Sequence, residues 1–294
     1  MISLSIIIVS FNTKEITKKS LSSLRKDLIK YPLEYEVIVV DNDSHDGSVE
    51  FLLDLEKNWN ELHVILSKKN LGFGLGNNLG LEKSSGKHIL FLNSDAIISD
   101  IDFRDLVKIM DMQKDIGALT VKVVLPTGEI DPASHRGFPT IWRSFTYFSG
   151  LEKTFANVPI LNKLFGGYHL INLNLNNIHE IDVPTGAFLF TKKEILNKFG
   201  GFDKDYFAYG EDIEMAFQIK KLGYKIIYYP FWKVLHLKSV SGLKKNDLNI
   251  RKKTSYHFYD SMKIFYDKHY AKDHNWLTNK FVHLAIDIKK SFNK

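Results

Sequence analysis

The chain of 294 residues is 44% hydrophobic and 25% charged, which fits one large soluble domain with an appendage and allows a sizeable core. It contains no cysteine, which excludes disulfides and thiolate metal sites and leaves oxygen or imidazole as metal ligands. The net charge of +6 belongs to the tail, because 12 Lys/Arg and 5 Asp between Lys244 and Lys294 leave the first 243 residues at −1.

Apolar, β-branched runs alternate with helical patterns along the first part of the chain. The opening "MISLSIIIVSFN" lacks the basic region and cleavage site of a signal peptide, and we interpret it as a first strand. The later strand candidates are "YEVIVVDN", "LHVILS", "HILFLN" and "IGALTVKV", with helical patterns over 14–29, 47–57, 75–83 and 101–112 between them. The alternation predicts an α/β fold whose mostly parallel sheet is covered by helices on both faces.

After residue 122 the pattern becomes less regular. A hairpin is predicted at "VVLPTGEID", an aromatic, irregular stretch runs over 138–177, and regular elements return from "IDVPTGAFLF". No run reaches the roughly 18 apolar residues of a spanning helix. Without repeats or a low-complexity linker, we predict one domain over residues 1–243 and a helical, basic tail over 244–294.

Two strand candidates end on polar triplets, which are Asp41-Asn42-Asp43 and Asn93-Ser94-Asp95. Ligands of open α/β sheets bind outside the carboxyl ends of the strands, so both acids line one crevice if the strands are neighbours. Asp43 also suits a turn that caps the next helix. No glycine follows Asp95, and a buried, unpaired carboxylate is costly, so we interpret Asp95 as a ligand of a divalent cation.

The glycine-rich segment "NLGFGLGNNLG" matches neither common phosphate loop. Asn77 occupies the position of the third glycine of a dinucleotide fingerprint, and the spacing from Gly80 to Lys87 is one residue too long for a P-loop. Two interpretations stay open: a ligand approaches the backbone closely here, or the segment is a flexible connection into a helix.

Acids and aromatic residues meet again in "FDKDYFAYGEDIEMAFQIKKLGYK". Glu211 and Asp212 fall in the first turn of an amphipathic helix, where the helix dipole favours acids whatever their function. An ionised Asp212 facing a crevice could also take a proton from a hydroxyl, beside aromatic faces that suit sugars. His236 follows the Pro-interrupted strand "YYPFWKVL" as either a satisfied core histidine or a metal ligand.

Taken in order over about Ser3 to His236, these segments resemble the inverting glycosyltransferases of family 2, which have the GT-A fold. The closest resemblance is to their bacterial rhamnosyltransferase-like branch. The segments that carry it are "SIIIVSFN", "VIVVDNDSHDGS", "NLGFGLGNNLG", "ILFLNSDA", "VPTGAFLFTKKEILNKFGGFDKDYFAYGEDIEMAFQIKKLGYK" and "YYPFWKVLH".

The resemblance implies a role for each matching residue. Asp41 would receive the pyrimidine of the donor nucleotide, Asp95 would hold the metal with His236, and Asp212 would deprotonate the acceptor hydroxyl. Glu211 would position the acceptor or support Asp212. The implied donor site also includes Ser10, Asn12, Asn42, Ser44, Asn70, Gly72, Phe73, Asn77, Asn93 and Ser94, and the implied acceptor site adds Thr185 and Gly186.

Two departures from the family pattern accompany the resemblance. Asn93 replaces the first acid of the usual Asp-x-Asp motif, which leaves the choice between Mn2+ and Mg2+ open. The glycine that often follows the late histidine is missing from "HLKSVSG", which makes acceptor recognition less transferable.

The implied function is inverting transfer of a sugar, with rhamnose as the first choice, from a UDP- or dTDP-sugar. The acceptor would be a hydroxyl of a glycan or polyprenyl-linked molecule in cell-surface polysaccharide synthesis, and the protein would be cytoplasmic at the inner face of the membrane. The alternatives are a non-catalytic sugar-nucleotide-binding partner of a glycan assembly complex and a nucleotidyltransferase.

The tail over 244–294 mixes lysines with Phe, Tyr, Trp and Ile. This composition suits an anionic membrane surface, and it equally suits helices that pack on the domain or on a second subunit in a homodimer. Nucleic acid is not an expected partner, because no RNA- or DNA-binding signature accompanies the charge.

Overall fold

The computed structural model describes residues 2–238 and 248–292, which contain one nine-stranded sheet flanked by helices. The strands are Leu4–Ser10 (β1), Tyr35–Asp41 (β2), Leu62–Leu66 (β3), His88–Leu92 (β4), Ala96–Ser99 (β5), Ile116–Val124 (β6), His179–Ile181 (β7), Phe188–Lys192 (β8) and Lys225–His236 (β9). The predicted α/β class is confirmed.

The helices before β7 are Lys14–Lys30 (α1), Ser48–Lys57 (α2), Gly72–Lys83 (α3), Phe103–Met112 (α4), Ile141–Phe148 (α5), Leu151–Thr154 (α6) and Pro159–Phe165 (α7). They are followed by Lys193–Leu196 (α8), Glu211–Lys221 (α9), Leu248–His269 (α10) and Trp276–Phe292 (α11), with short 3-10 helices at Pro132–Ser134 and Ala271–Asp273.

The sheet runs in the order β3-β2-β1-β4-β8-β6-β9-β5, with β7 also paired to β9. The first four strands are parallel, as the alternation of strands and helices predicts. β8 is antiparallel to both β4 and β6, a reversal that the sequence pattern did not reveal. The carboxyl ends of β1, β2 and β4 therefore meet at one edge of the sheet.

The strands of the two acids are not neighbours, because β1 lies between β2 and β4. Asp41 ends β2, whereas Asp95 follows β4. Two strand spacings separate them by roughly 10 Å in the sheet direction. The acids share an edge of the sheet without being in contact across adjacent strands.

Both faces of the sheet are buried, which explains the continuous apolar strands. Along β1, Ile6 and Ile8 pack in one core cluster, and Ile7 packs in the cluster on the opposite face. Helices cover each cluster, so neither face of β1 tolerates a polar position in its middle.

Two elements differ from their predicted form. α3 begins at Gly72, three residues before the predicted start, and Gly72 has a φ of +81° that favours glycine. β9 continues through Pro230, and its partners opposite Val121 and Lys122 jump from Tyr229 to Lys233. This irregularity accommodates a residue that cannot donate to the ladder.

The tail helices α10 and α11 pack on the rest of the protein. His269 Nε2 lies 2.6 Å from Glu214 Oε2 on α9, Lys268 Nζ donates to Asp203 Oδ2 at 2.7 Å, and Ser261 Oγ donates to the Ala208 carbonyl at 3.2 Å. The predicted boundary at 243/244 lies outside the described residues and stays a prediction. None of the described helices has the length and apolar character needed to cross a membrane.

Candidate functional site

A cavity of about 940 Å³ opens where the carboxyl edge of the sheet meets α9 and the tail helices. One side of its lining, here called the strand-end wall, is mostly polar and consists of Asn42, Asn70, Gly72, Phe73, Asn93, Ser94, Asp95 and His236. Its apolar lining, here called the helical wall, includes Ile141, Phe145, Phe148, Phe258, Phe265, Phe281, Leu284 and Ile288. Between these two walls the cavity is lined by Arg136, Thr185, Gly186, Glu211 and Asp212.

The end of β2 holds an acid with one unused oxygen. Asp41 Oδ1 accepts from the Ser44 amide at 2.9 Å, and Asp41 Oδ2 is buried without a partner in the described structure. The following Asn42 accepts from the Leu71 amide at 2.9 Å and donates to the Gly72 carbonyl at 3.1 Å. Buried polar atoms are normally satisfied, so the free oxygen of Asp41 is an exception among the described residues.

Five predicted donor residues lie behind the cavity lining, which are Ser10, Asn12, Asp41, Ser44 and Asn77. Ser10 Oγ bonds the hydroxyls at the start of α1, the Asn12 amide donates to Ser44 Oγ at 2.9 Å, and Asn77 Nδ2 donates to the Phe73 carbonyl at 3.0 Å. The bond between Asn12 and Ser44 joins the loop after β1 to the loop after β2.

Strand register brings Asp95 and His236 together. Ala96 of β5 pairs with His236 of β9, and Asp95 Oδ1 lies 3.2 Å from His236 Nε2. The other ring nitrogen, Nδ1, lies 3.0 Å from Oδ2 of the fully buried Asp131, which also accepts from Lys238 Nζ at 2.8 Å. Asn93 Nδ2 lies 3.3 Å from His236 Nε2. The carboxylate of Asp131 thus fixes the orientation of the imidazole.

The charges of this cluster reinforce one another. Burial opposes the charged imidazole, yet the hydrogen bonds with Asp131 and Asp95 outweigh it and raise the pKa of His236 to about 9. Burial also opposes the Asp131 carboxylate, but His236 and Lys238 hold its pKa well below the usual range. The cluster is an ion-paired network in the metal-free protein.

Asp95 and His236 offer one oxygen and one nitrogen ligand at the cavity surface. Within residues 2–238 and 248–292, no three His, Asp or Glu side chains are grouped to hold an ion by themselves. Mg2+ commonly takes one or two carboxylates and completes its shell with water and substrate phosphates. The pair therefore fits a divalent cation that is shared with a phosphate-bearing ligand.

The first turn of α9 carries the second pair of acids. Asp212 Oδ2 accepts from Arg136 Nη2 at 2.5 Å, and Asp212 Oδ1 accepts from the Ile213 amide at 2.8 Å. Arg136 also donates to the Pro184 carbonyl at 3.0 Å, while its buried Nε has no partner in the described structure. Asp212 thus faces the cavity as one half of a largely buried ion pair.

Glu211 differs from Asp212 although they are adjacent in sequence. It is only 8% exposed, and its buried Oε2 has no partner in the part of the chain that the structure describes. Burial, followed by the charge of Asp212, raises the pKa of Glu211 to about 8. Glu211 therefore keeps its proton more readily than an exposed glutamate, beside the Arg136–Asp212 ion pair.

Thr185 and Gly186 lie beside Phe73 in the cavity lining. Thr185 Oγ1 accepts from the Ala187 amide at 3.2 Å, and a Cβ on Gly186 would lie 3.2 Å from the Phe73 ring. The structure therefore brings the residues of the implied acceptor site next to a residue of the implied donor site.

Sequence reasoning missed Asp131, Arg136 and the helical wall. Asp131 ends the predicted hairpin, where an aspartate is an ordinary turn former, and Arg136 lies in "SHRG" without any motif. The only signal for the helical wall was the aromatic content of 138–177 and of the tail. That content did not indicate that the two segments meet.

Family models match most of the chain. The model described as "Glycosyl transferase family 2" matches residues 5–169, and that described as "Glycosyl transferase family group 2" matches residues 88–266. The first match alone spans more than half of the chain and contains both strand-end triplets.

Curated relatives have about a quarter of their aligned residues in common with this chain. Rhamnosyltransferase WbbL of Escherichia coli is 25% identical over 239 residues, which cover 79% of this chain and 82% of the relative. The poly-beta-1,6-N-acetyl-D-glucosamine synthase of Staphylococcus epidermidis is 24% identical over 77% of this chain, and O-antigen biosynthesis protein RfbC of Myxococcus xanthus is 23% identical over 80%. The chain spans only 48% and 17% of those two relatives.

Solved structures have the same fold at low identity. Mannosyltransferase PcManGT from Pyrobaculum calidifontis, in complex with GDP-Man and Mn2+, matches with a TM-score of 0.58 and 17% identity over 89% of this chain and 63% of that one. GalNAc-T7 with UDP, GalNAc and Mn2+ matches with a TM-score of 0.59 and 16% identity over 90% of this chain and 50% of that one. The predicted GT-A fold is confirmed.

The family models, the fold and the order of the motifs agree with one another. The relatives named as a rhamnosyltransferase and as an O-antigen biosynthesis protein support the rhamnosyltransferase-like branch that the motifs indicated. The chain belongs to glycosyltransferase family 2.

Proposed function

We propose that this protein is an inverting glycosyltransferase that moves a sugar from a UDP- or dTDP-sugar to a hydroxyl of a glycan or lipid-linked acceptor. It would act in surface polysaccharide synthesis at the cytoplasmic face of the membrane, with rhamnose as the first sugar to test. The observation that carries the proposal is that Asp95, His236 and Asp212 line one cavity.

The strand-end wall would bind the donor. The free Oδ2 of Asp41 is a carboxylate acceptor behind the loop of Asn42 and Asn70, and it suits the N–H of a pyrimidine base. The diphosphate would then extend toward Asn93, Ser94 and Asp95 in the cavity lining. This arrangement uses the polar wall for the nucleotide and leaves the remaining volume for the acceptor.

Asp95 and His236 would hold a divalent cation, Mn2+ or Mg2+, with Asp131 orienting the imidazole. A cation bound there would neutralise the negative charge that grows on the leaving diphosphate. Both solved neighbours described above are complexes that contain Mn2+ together with GDP-Man or UDP, which supports this part of the proposal.

Asp212 would act as the general base. The acceptor oxygen forms a bond to the anomeric carbon, the bond from that carbon to the phosphate oxygen breaks, and the acceptor proton passes to Asp212. A carboxylate has about four lone-pair sites, and the contacts with Arg136 and Ile213 use only two of them. Asp212 can therefore accept the hydroxyl proton while it remains paired with Arg136.

One observation favours a second candidate function. The Arg136–Asp212 ion pair is largely buried, so Arg136 already occupies one oxygen of the proposed base. A protein that binds a sugar nucleotide without transferring the sugar would keep this pair closed. The second candidate is therefore a non-catalytic sugar-nucleotide-binding partner of a glycan assembly complex.

A thermal-shift panel of nucleotide sugars with and without Mn2+ or Mg2+ tests the donor site. We expect one pyrimidine diphosphate sugar to raise the unfolding midpoint in the presence of metal, because a ligand stabilises only the folded state that binds it. Asp95→Ala should remove the metal dependence. A panel in which no nucleotide sugar shifts the midpoint at millimolar concentration would contradict the proposal.

Asp212→Asn separates the two candidate functions. General bases contribute about 10² to 10⁴-fold, so a true base predicts at least a 100-fold loss of nucleoside diphosphate release with the donor shift intact. Asp115→Asn is a control, because Asp115 is an acid paired to Lys225 away from the cavity. Unchanged release in Asp212→Asn would show that Asp212 is not the base.

A further inference from the structure

The cavity is large, and one side of its lining is apolar. Small-molecule sites usually measure about 300–1,000 Å³, and this cavity of about 940 Å³ lies near the upper limit. The strand-end wall supplies polar groups on one side, whereas Phe145 and Phe148 of α5 and Phe281, Leu284 and Ile288 of α11 supply hydrocarbon. These five residues define the α5–α11 slot.

The slot reaches the surface of the protein. Phe145 is 54% exposed and Phe281 69% exposed, and both also line the cavity. Leu284 and Ile288 on the same face of α11 are exposed as well. Contiguous exposed apolar surface is uncommon in a monomer and marks an interaction site, so the cavity has an apolar mouth between α5 and α11.

Positive charge borders this mouth. Lys289 Nζ donates to the Phe148 carbonyl at 3.0 Å, where the two helices meet. Lys280 and Lys290 lie on the same helix, and each places its ammonium group over an aromatic ring, Trp276 and Tyr256. A cationic border around exposed hydrocarbon complements a lipid with an anionic head group.

We propose that the α5–α11 slot binds the hydrocarbon chain of a lipid-linked acceptor, with its phosphate near the lysines of α11 and its sugar toward Asp212. The inference rests on the proposed function, and it selects a lipid-linked acceptor over a free glycan. Asp212 and the residues of the apolar mouth line the same cavity, and a soluble glycan would leave that mouth uncovered.

Calorimetric binding of farnesyl phosphate tests the slot, with inorganic phosphate and farnesol as the separate halves of the probe. We expect farnesyl phosphate to bind at least about tenfold more tightly than either half. The double substitution Phe281→Ser with Leu284→Ser should weaken farnesyl phosphate binding by about tenfold or more, because each change removes hydrocarbon that the bound farnesyl chain would cover. Ala285→Trp, which places an indole in the cavity lining, should cause a similar loss.

Phe231→Ser is the matched control. Phe231 is 68% exposed, nearly the same as Phe281, and it lies on β9 away from the cavity lining. We expect it to change binding by less than twofold. An equal loss in this control, or equal binding of farnesyl phosphate and inorganic phosphate, would overturn the proposal.

Two further measurements separate this proposal from its alternatives. The first is the donor-induced thermal shift. If the slot variants keep the donor shift but lose farnesyl phosphate binding, the slot proposal is supported. If the wild type shows a donor shift but binds no farnesyl phosphate, the slot proposal is overturned and the proposed function is not. If it binds farnesyl phosphate but shows no donor shift, the slot proposal is supported and the proposed donor is contradicted.

The second is sedimentation velocity. A dimer that Phe281→Ser dissociates would overturn the slot proposal, since a second chain would then cover the slot.

Discussion

The two walls of the cavity are built in different ways. Most residues of the strand-end wall lie directly after β2 or β4 or around the start of α3, so short range along the chain sets their positions. His236 is the exception, because the pairing of β9 with β5 brings it beside Asp95. The helical wall joins α5, from the middle of the chain, to α10 and α11 at its end. One wall is therefore defined mostly by local sequence, and the other only by tertiary packing.

The difference has a functional counterpart. The strand-end wall is polar and held by hydrogen bonds such as those of Asn42, which suits a ligand of fixed chemistry. The helical wall is apolar and open to solvent at Phe281, which suits a ligand recognised by shape and hydrocarbon content. Variation in the helical wall could change the acceptor without changing the donor site.

The largest effect on ligand affinity is expected from Asp131→Asn. Loss of the carboxylate charge weakens the partner of His236 Nδ1, and residues that orient metal ligands typically contribute 10–100-fold in affinity. Mn2+ affinity, measured calorimetrically with a nucleoside diphosphate present, should fall by about that factor. Asp102→Asn is the control, because both aspartates cap the start of a helix, but Asp102 pairs with Arg104 on the surface. Unchanged Mn2+ affinity would remove Asp131 from the site.

A second effect, on folding stability, is expected from Gly72→Ala, which tests the loop of the strand-end wall. Gly72 and Gly150 both have φ of +81°, but an added Cβ would lie 2.1 Å from the Phe207 carbonyl oxygen at Gly72 and would meet nothing within 4 Å at Gly150. In urea unfolding, Gly150→Ala should cost about 1 kcal/mol for its backbone, and Gly72→Ala about 1–3 kcal/mol more for the clash. Equal losses would mean that the loop moves freely away from Phe207.

A third effect concerns pH and the acids between the walls. The pKa of Glu211 is raised from 4.5 to about 8, so the folded state holds a proton that the unfolded state releases above pH 4.5. Its stabilising contribution is complete below pH 4.5 and is lost as pH rises toward 8, by about 1.4 kcal/mol per pH unit. The unfolding free energy of wild type minus that of Glu211→Gln should therefore fall steadily from pH 5 to 8. A constant difference would show that Glu211 is ionised in the folded protein.

Sequence reasoning predicted the strand-end wall better than the rest of the site. The ends of β2 and β4 were apparent because apolar runs stop abruptly at Asp41 and Asn93, and the first turn of α9 was apparent from its amphipathic pattern. The order of the strands was not apparent, because no local pattern in the sequence shows that β1 lies between β2 and β4.

Asp131 and Arg136 were missed for a related reason. Each acquires its partner from a segment far along the chain, Asp131 from His236 and Arg136 from Asp212. Such pairs depend on the pairing of β9 and the position of α9, which no local pattern specifies. The residues of the helical wall were visible as aromatic content, but their meeting depends on the packing of the tail.

Donor affinity in two variants tests the central claim, that the strand-end wall binds the donor and Asp212 acts on the acceptor. The donor from the thermal-shift panel would be titrated calorimetrically, with Mn2+ present, into wild type, Asp95→Ala and Asp212→Asn. We predict that Asp95→Ala weakens donor binding by about tenfold or more, since it removes a predicted metal ligand, while Asp212→Asn changes it by less than twofold. Equal losses of donor affinity in the two variants would contradict the separate roles of the strand-end wall and Asp212.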